Sequence, residues 1–177
     1  MHYPQSLQPK LALKTIMESL SVNYPFADKS YEFDKLKNLK AACFVSLHID
    51  KNGDKQLRGC IGTLSPVTDS LFDEICDNAR SAAFHDPRFL PLQKNELENL
   101  TISVDVLAPF EHIESKKQLD PKIYGVIVQN GTRRGVLLPD LDGVDDVDTQ
   151  ISIACRKAGI SSDEEITLYR FKVVRYY

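Results

Sequence analysis

A cysteine held close to two glycines, in the run Leu57-Arg58-Gly59-Cys60-Ile61-Gly62, is the segment of this chain best suited to chemistry. The thiolate form of cysteine is the nucleophile and the metal ligand, and a neighbouring guanidinium favours it. On a regular strand Arg58 and Cys60 project from the same face. Cys60 is therefore a candidate nucleophile, with Arg58 as its activating cation. Glycine weakens a strand interior, so Gly59 and Gly62 predict a bulge, or a close approach by another backbone or a ligand. The competing reading is structural, because free cysteine is among the most buried residue types. Hairpin register decides what lies beside Cys60. One register puts Ser46 opposite Cys60 and His48 opposite Arg58; a slip of one residue puts Val45 there instead.

The second notable segment is Phe84-His85-Asp86-Pro87-Arg88-Phe89. Pro87 ends a helix. Asp86 and Arg88 flank it and can pair with each other or hold nearby backbone. His85 is a candidate base for a thiol, in the Cys-His manner, or simply a solvated helix end. Cys43, Cys76 and Cys155 fall on apolar stripes and are expected in the core. Arg133-Arg134 follows a turn signal and is expected to be a solvated tip. No two cysteines form a CxxC pair, so no zinc site is expected. The run Asp140, Asp142, Asp145, Asp146, Asp148 lacks the spacing and terminal Glu of a calcium loop and reads as an acidic cap on a helix. Gly-rich phosphate loops, HExxH and GxSxG are absent from the sequence. No cofactor and no metal are expected.

The elements that must position these residues follow from periodicity. Leu7, Leu11, Leu13, Ile16, Met17 and Leu20 fall mainly on one stripe of a helix ending before Asn23-Tyr24-Pro25. Cys43, Val45, Leu47 and Ile49 alternate with Phe44, Ser46 and His48 as a strand. Lys51-Asn52-Gly53-Asp54 signals a hairpin turn, and residues 57–64 read as the return strand. Ser65-Pro66 suits the start of a helix that stops near His85-Asp86-Pro87. A strand over Ile102, Val104 and Val106 follows. The order then recurs: a strand over residues 124–129, the turn Asn130-Gly131, a return strand over 134–138, a helix closed by Gly159, and a last strand over 166–176. Two copies of hairpin, helix and strand predict an α+β fold, mainly antiparallel sheet with flanking helices. One domain over 1–177 is expected, with lobes at approximately 1–110 and 111–177, either sequential or interleaved.

The composition is that of an ordinary globular chain: 177 residues, 42% apolar, 27% charged and a net charge of -3. That balance provides no basic surface for nucleic acid or anionic membrane. No apolar run approaches the roughly 20 residues needed to span a bilayer. The start, Met1 to Gln5, carries no export signal, so a cytoplasmic location with reduced thiols is the expectation.

In this order, these segments resemble the AMMECR domain family, whose prokaryotic members are often labelled AmmeMemoRadiSam system protein A. The likeness begins at Ala42-Cys43-Phe44-Val45-Ser46-Leu47 and runs through the Leu57–Gly62 hallmark and Ala82-Ala83-Phe84-His85-Asp86-Pro87-Arg88-Phe89. It continues through Glu96-Leu97, Ile102–Leu107, Gly125-Val126, Leu137-Leu138-Pro139 and Cys155-Arg156-Lys157-Ala158-Gly159-Ile160. One departure is the lack of any Trp, where many members carry one after the Lys-Ala-Gly segment. The resemblance implies two lobes with a groove between them, and partners from the Memo family and the radical S-adenosylmethionine proteins. It implies no particular reaction. Position by position it carries Arg58, Gly59, Cys60, Gly62, Asp86, Arg88 and Phe89 as motif residues. Two functions stay open: a component of a three-protein modification system acting at Cys60, or a binding and adaptor module without catalysis.

Overall fold

The structure, a computed structural model, describes residues 3–25, 30–51 and 53–177. In chain order the main elements are helix α1 (Leu7–Ser19), α2 (Asp34–Lys37), strands β1 (Cys43–Lys51) and β2 (Asp54–Gly62), helix α3 (Leu71–Phe84), then β3 (Leu100–Leu107) and β4 (Glu111–Ile113). There follow β5 (Gly125–Asn130), β6 (Arg133–Leu137), α4 (Val147–Ala158), β7 (Thr167–Phe171) and β8 (Val173–Tyr176). Two antiparallel sheets result, with strand orders β2-β1-β3-β8 and β4-β7-β5-β6. The expected α+β fold is the fold found. The chain divides into two compact units, residues 1–106 with 174–177, and residues 107–173.

In the first unit, Cys43, Val45, Leu47 and Ile49 of β1 enter a core shared with α1 and α3. Their alternates Phe44, Ser46 and His48 lie on the other face of the sheet, as a two-residue side-chain period requires. In the second unit Val126, Val128 and Leu137 join Ala154 and Cys155 of α4 in a separate core. The hairpin turns carry Gly53 and Gly131 at positive φ, 84° and 56°. Asn52, the other half of the first turn signal, lies outside the described residues. The strand orders β2-β1-β3 and β6-β5-β7 correspond, so hairpin, helix and strand recur as read from the sequence.

Two expectations need correction. Helix α3 starts at Leu71, not at Ser65-Pro66; Ser70 is its cap and accepts the Asp73 N–H at 3.1 Å. The N–H groups of Val67 and Thr68 go instead to the Glu74 carboxylate, at 3.1 and 3.0 Å. Thr63 and Thr68 add their hydroxyls to the same carboxylate. Burial pushes the Glu74 pKa up, but these hydrogen bonds outweigh it and the net shift is downward. A buried side chain thus organises a loop where a helical turn was expected. The last strand is also two strands. β7 belongs to the second sheet and β8 to the first, with Lys172 between them. Among the described residues no helix is long and apolar enough to cross a membrane.

Candidate functional site

The Arg58-Gly59 step is a β-bulge. Leu47 pairs with Gly59 and His48 with Leu57, which leaves Arg58 as the extra residue. Ser46 therefore lies opposite Cys60, as in one of the two registers considered, while His48 faces Leu57 and not Arg58. The bulge also breaks the regular alternation from which Arg58 and Cys60 were expected to share a face. Gly59 meets the backbone of α3 as well: a Cβ there would sit 2.2 Å from the Ala82 carbonyl oxygen. Gly62 lies under an aromatic ring, where a Cβ would come within 2.4 Å of Phe44. Bulge and close approach both occur.

Cys60 is half-buried. The Ser46 hydroxyl donates to its sulfur at 3.2 Å. Ser103 stands across from Ser46 on the third strand, and both serines are buried. β2 is an edge strand, so the outward backbone groups of Cys60 have no strand partner. Side chains take that place. The Cys60 N–H donates to Asp86 Oδ2 at 2.9 Å, and Arg88 Nη2 donates to the Cys60 carbonyl at 3.1 Å. Arg88 and Asp86 also pair directly, Nε to Oδ1 at 3.0 Å and Nη2 to Oδ2 at 2.7 Å. The Asp86 side chain is only 1% exposed, against 54% for Arg88. The guanidinium beside it holds the Asp86 carboxyl well below the usual carboxylate range, and the carboxylate in turn raises Arg88.

Arg58 turns elsewhere. It forms a two-pronged pair with Glu96, Nε to Oε1 at 2.7 Å and Nη2 to Oε2 at 3.0 Å. Its remaining nitrogen, Nη1, is buried with no hydrogen-bond partner among the described residues. The Arg58 and Arg88 guanidinium carbons lie 5.8 and 5.5 Å from the centre of the Phe89 ring, within cation–π range. The charge of Arg58 is thus committed to Glu96, and the guanidinium that reaches Cys60 is that of Arg88, through the carbonyl. His85, the candidate base, is exposed at the end of α3 and is not hydrogen-bonded to Cys60. Cys43, Cys76 and Cys155 are buried as expected, and burial pushes the Cys43 thiol up to about 12. Arg133 and Arg134 are exposed beside the turn, as expected, and Arg133 also pairs with Glu164. Among the described residues no group of three or more His, Cys, Asp or Glu is placed to hold a metal ion. Glu96 entered the sequence reading only as part of the resemblance and not as a partner of Arg58, because nothing in spacing links the two.

The second unit supplies an internal control. Gly135 occupies the position of Gly59 on its hairpin, and a Cβ there would sit 1.9 Å from the Ala154 carbonyl oxygen of α4. Lys157 Nζ donates to the Val136 carbonyl at 3.2 Å, as Arg88 does to that of Cys60. Even the preceding arginine recurs, as Arg134. The row across the strands differs: Cys60, Ser46 and Ser103 in the first unit correspond to Val136, Ile127 and Tyr169 in the second.

With this geometry in place, comparison with known proteins gives consistent results. A family model described as AMMECR1 matches residues 9–176. A protein of Thermotoga maritima is 49% identical, over 81% of this chain and 81% of its own. A Clostridium acetobutylicum protein is 44% identical over 94% of this chain, which spans only 35% of that longer protein. The crystal structure of an uncharacterized Pyrococcus horikoshii protein aligns with a TM-score of 0.80 at 29% identity, covering 95% of this chain and 88% of that one.

Proposed function

The chain belongs to the AMMECR1 family, and we propose that it acts as the Cys60-bearing member of a modification system whose other members are a Memo-family protein and a radical S-adenosylmethionine protein. The surface it offers centres on Cys60, Arg88 and Phe89. One observation supports this reading above others: the two repeats share an architecture and differ in chemistry at the strand row that holds Cys60. Both set a glycine under a helix carbonyl, and both cap the next carbonyl with a cation. Architecture therefore accounts for the glycine and the cation. It does not account for Cys60 with Ser46, where the second repeat manages with Val136 and Ile127. A half-exposed thiol whose sulfur already receives a hydroxyl proton is suited to meet a ligand. Arg58 Nη1 adds a buried donor that an incoming oxygen can satisfy. Joint action is consistent with the Clostridium acetobutylicum relative, in which the matched region is joined to much further sequence. This reading requires a reducing compartment such as the cytoplasm.

The alternative is an adaptor without chemistry. It draws support from Asp86 and Arg88, which grip the backbone of Cys60 and not its sulfur. Iodoacetamide labelling of the native chain at neutral pH separates the two, with the Cys60 peptide followed by mass and glutathione as the standard. The modification reading expects Cys60 to react faster than glutathione, and Cys60→Ser to keep the fold while the three-protein system loses activity. A rate at or below that of glutathione favours the adaptor. Failure of the Memo-family protein to co-purify with the wild-type chain removes the system itself.

A further inference from the structure

The second unit contains a cleft of about 400 Å³ beside α4, built from residues that have no part in the Cys60 site. That volume falls in the range of about 300–1,000 Å³ typical of small-ligand sites. Its floor is apolar, with Ile151 and Cys155 from α4 and Ile160 and Ile166 from the segment that follows. Burial pushes the Cys155 thiol up, so this sulfur belongs to the floor as a small neutral group.

The wall opposite α4 is held in place. Glu164 pairs with Arg133 and accepts the Ser161 N–H at 2.8 Å. Arg133 also donates to the Gly159 carbonyl at 2.8 Å. The turn from residue 159 to 164 is therefore tied to β6, and an occupant need order little of it.

Charge at the rim indicates the occupant. Asp148, Arg156 and Glu164 all border the cleft. Asp148 is paired with Lys116 at 2.6 Å, and Glu164 with Arg133. Both carboxylates are thus neutralised where they stand. Arg156 is exposed, and its side chain has no ion pair or hydrogen bond among the described residues. Ser152, Ser161 and Ser162 bring hydroxyls to the same edge. An apolar floor with one unpaired cation at its rim matches a molecule with an apolar body and a single negative end. We infer that this cleft binds a small aliphatic carboxylate, its chain on the Ile151–Ile160–Ile166 floor and its carboxylate on Arg156.

Isothermal titration of the full chain with decanoate, below its micelle threshold, tests this directly. The control is decyltrimethylammonium, which has the same tail and the opposite charge. One decanoate should bind per chain, with the methyl resonances of Ile151, Ile160 and Ile166 shifting in step, and the cation should not bind. Arg156→Glu should weaken decanoate about tenfold, the size expected for losing a charge-assisted contact. Its circular dichroism should match the wild type, because Arg156 is exposed. Ile151→Asp should abolish binding. Equal binding of the two amphiphiles, an unchanged affinity in Arg156→Glu, or no decanoate binding overturns the assignment. So does binding of a short leucine-terminated peptide in the absence of decanoate binding, which would make the cleft a peptide site.

Discussion

Asp86 is buried, yet its two oxygens receive the N–H groups of Cys60 and Arg88 and two nitrogens of the Arg88 guanidinium. Those donors favour the ionised form over the cost of burial. The folded-state pKa is therefore depressed, and the sign of the pH dependence follows. The stabilisation is fully present above the unfolded carboxylate value of about 3.9 and is lost as pH falls through the lower folded value. Asp86→Asn should destabilise the chain by about 2 kcal/mol at neutral pH, the scale of hydrogen bonds to a charged group. Urea denaturation over a pH series checks this: the wild type should lose stability steeply below about pH 4, and the variant should lose less and converge on it. Parallel curves would mean that ionisation of Asp86 adds nothing. At this scale the sequence was partly legible. Asp86 flanking Pro87 with Arg88 two residues on suggested either a pair or a hold on nearby backbone, and both contacts are found. The Arg58–Glu96 pair was not legible, because its partners lie 38 residues apart and no local period links them.

At the scale of elements, the glycines separate two physical demands. Gly59 and Gly135 are required by space, since a Cβ would meet a helix carbonyl oxygen at 2.2 and 1.9 Å. Gly53 is required only by its backbone, with φ 84° and nothing within 4 Å of a built Cβ. Gly59→Ala and Gly135→Ala should each destabilise by about 3 kcal/mol, because strand and helix must separate to admit a methyl group. Gly53→Ala should cost about 1 kcal/mol, the penalty of a left-handed alanine. Thermal denaturation of the three variants orders them, and a Gly59→Ala no worse than Gly53→Ala would show that α3 can give way. Element identity was readable because apolar periods of two and of 3.6 residues are local properties. The misplaced start of α3 shows the limit. Ser65-Pro66 has the chemistry of a helix start, but Glu74 claims the N–H groups of Val67 and Thr68. Ser70 with Asp73 three residues later was the better signal, since its side chain accepts the Asp73 N–H. The division of the last strand left no trace in the pattern, because alternation runs on through Lys172 from one sheet into the other.

For the molecule as a whole, β8 ties the end of the chain to its beginning. Residues 174–177 belong to the first unit, although residues 107–173 intervene in sequence. The Tyr177 carbonyl accepts the N–H groups of Gln5 and Ser6 at 3.1 and 2.9 Å. Arg175 pairs with Asp105 of β3 at 2.7 Å, and the Asp105 side chain is only 2% exposed. Removing Arg175 leaves that carboxylate buried without its cation, the situation that makes breaking a buried pair expensive. Arg175→Ala should therefore destabilise by about 3 kcal/mol, the lower end of the range for a buried pair, since Arg175 itself is partly solvated. Replacing both partners, as in Arg175→Met with Asp105→Leu, should recover most of that loss, because no charge then remains buried. Hydrogen exchange locates the effect: in Arg175→Ala, protection should fall first in β3, whose Asp105 lies 70 residues from the substitution, and in its neighbour β1. If the single variant loses less than the double, or if exchange quickens only at the chain end, β8 is a frayed edge and the first sheet stands without it. Edge position allows that outcome in principle, since β8 has one strand neighbour. The buried carboxylate argues against it, because an edge free to fray would expose Asp105 to water and remove the need for a partner.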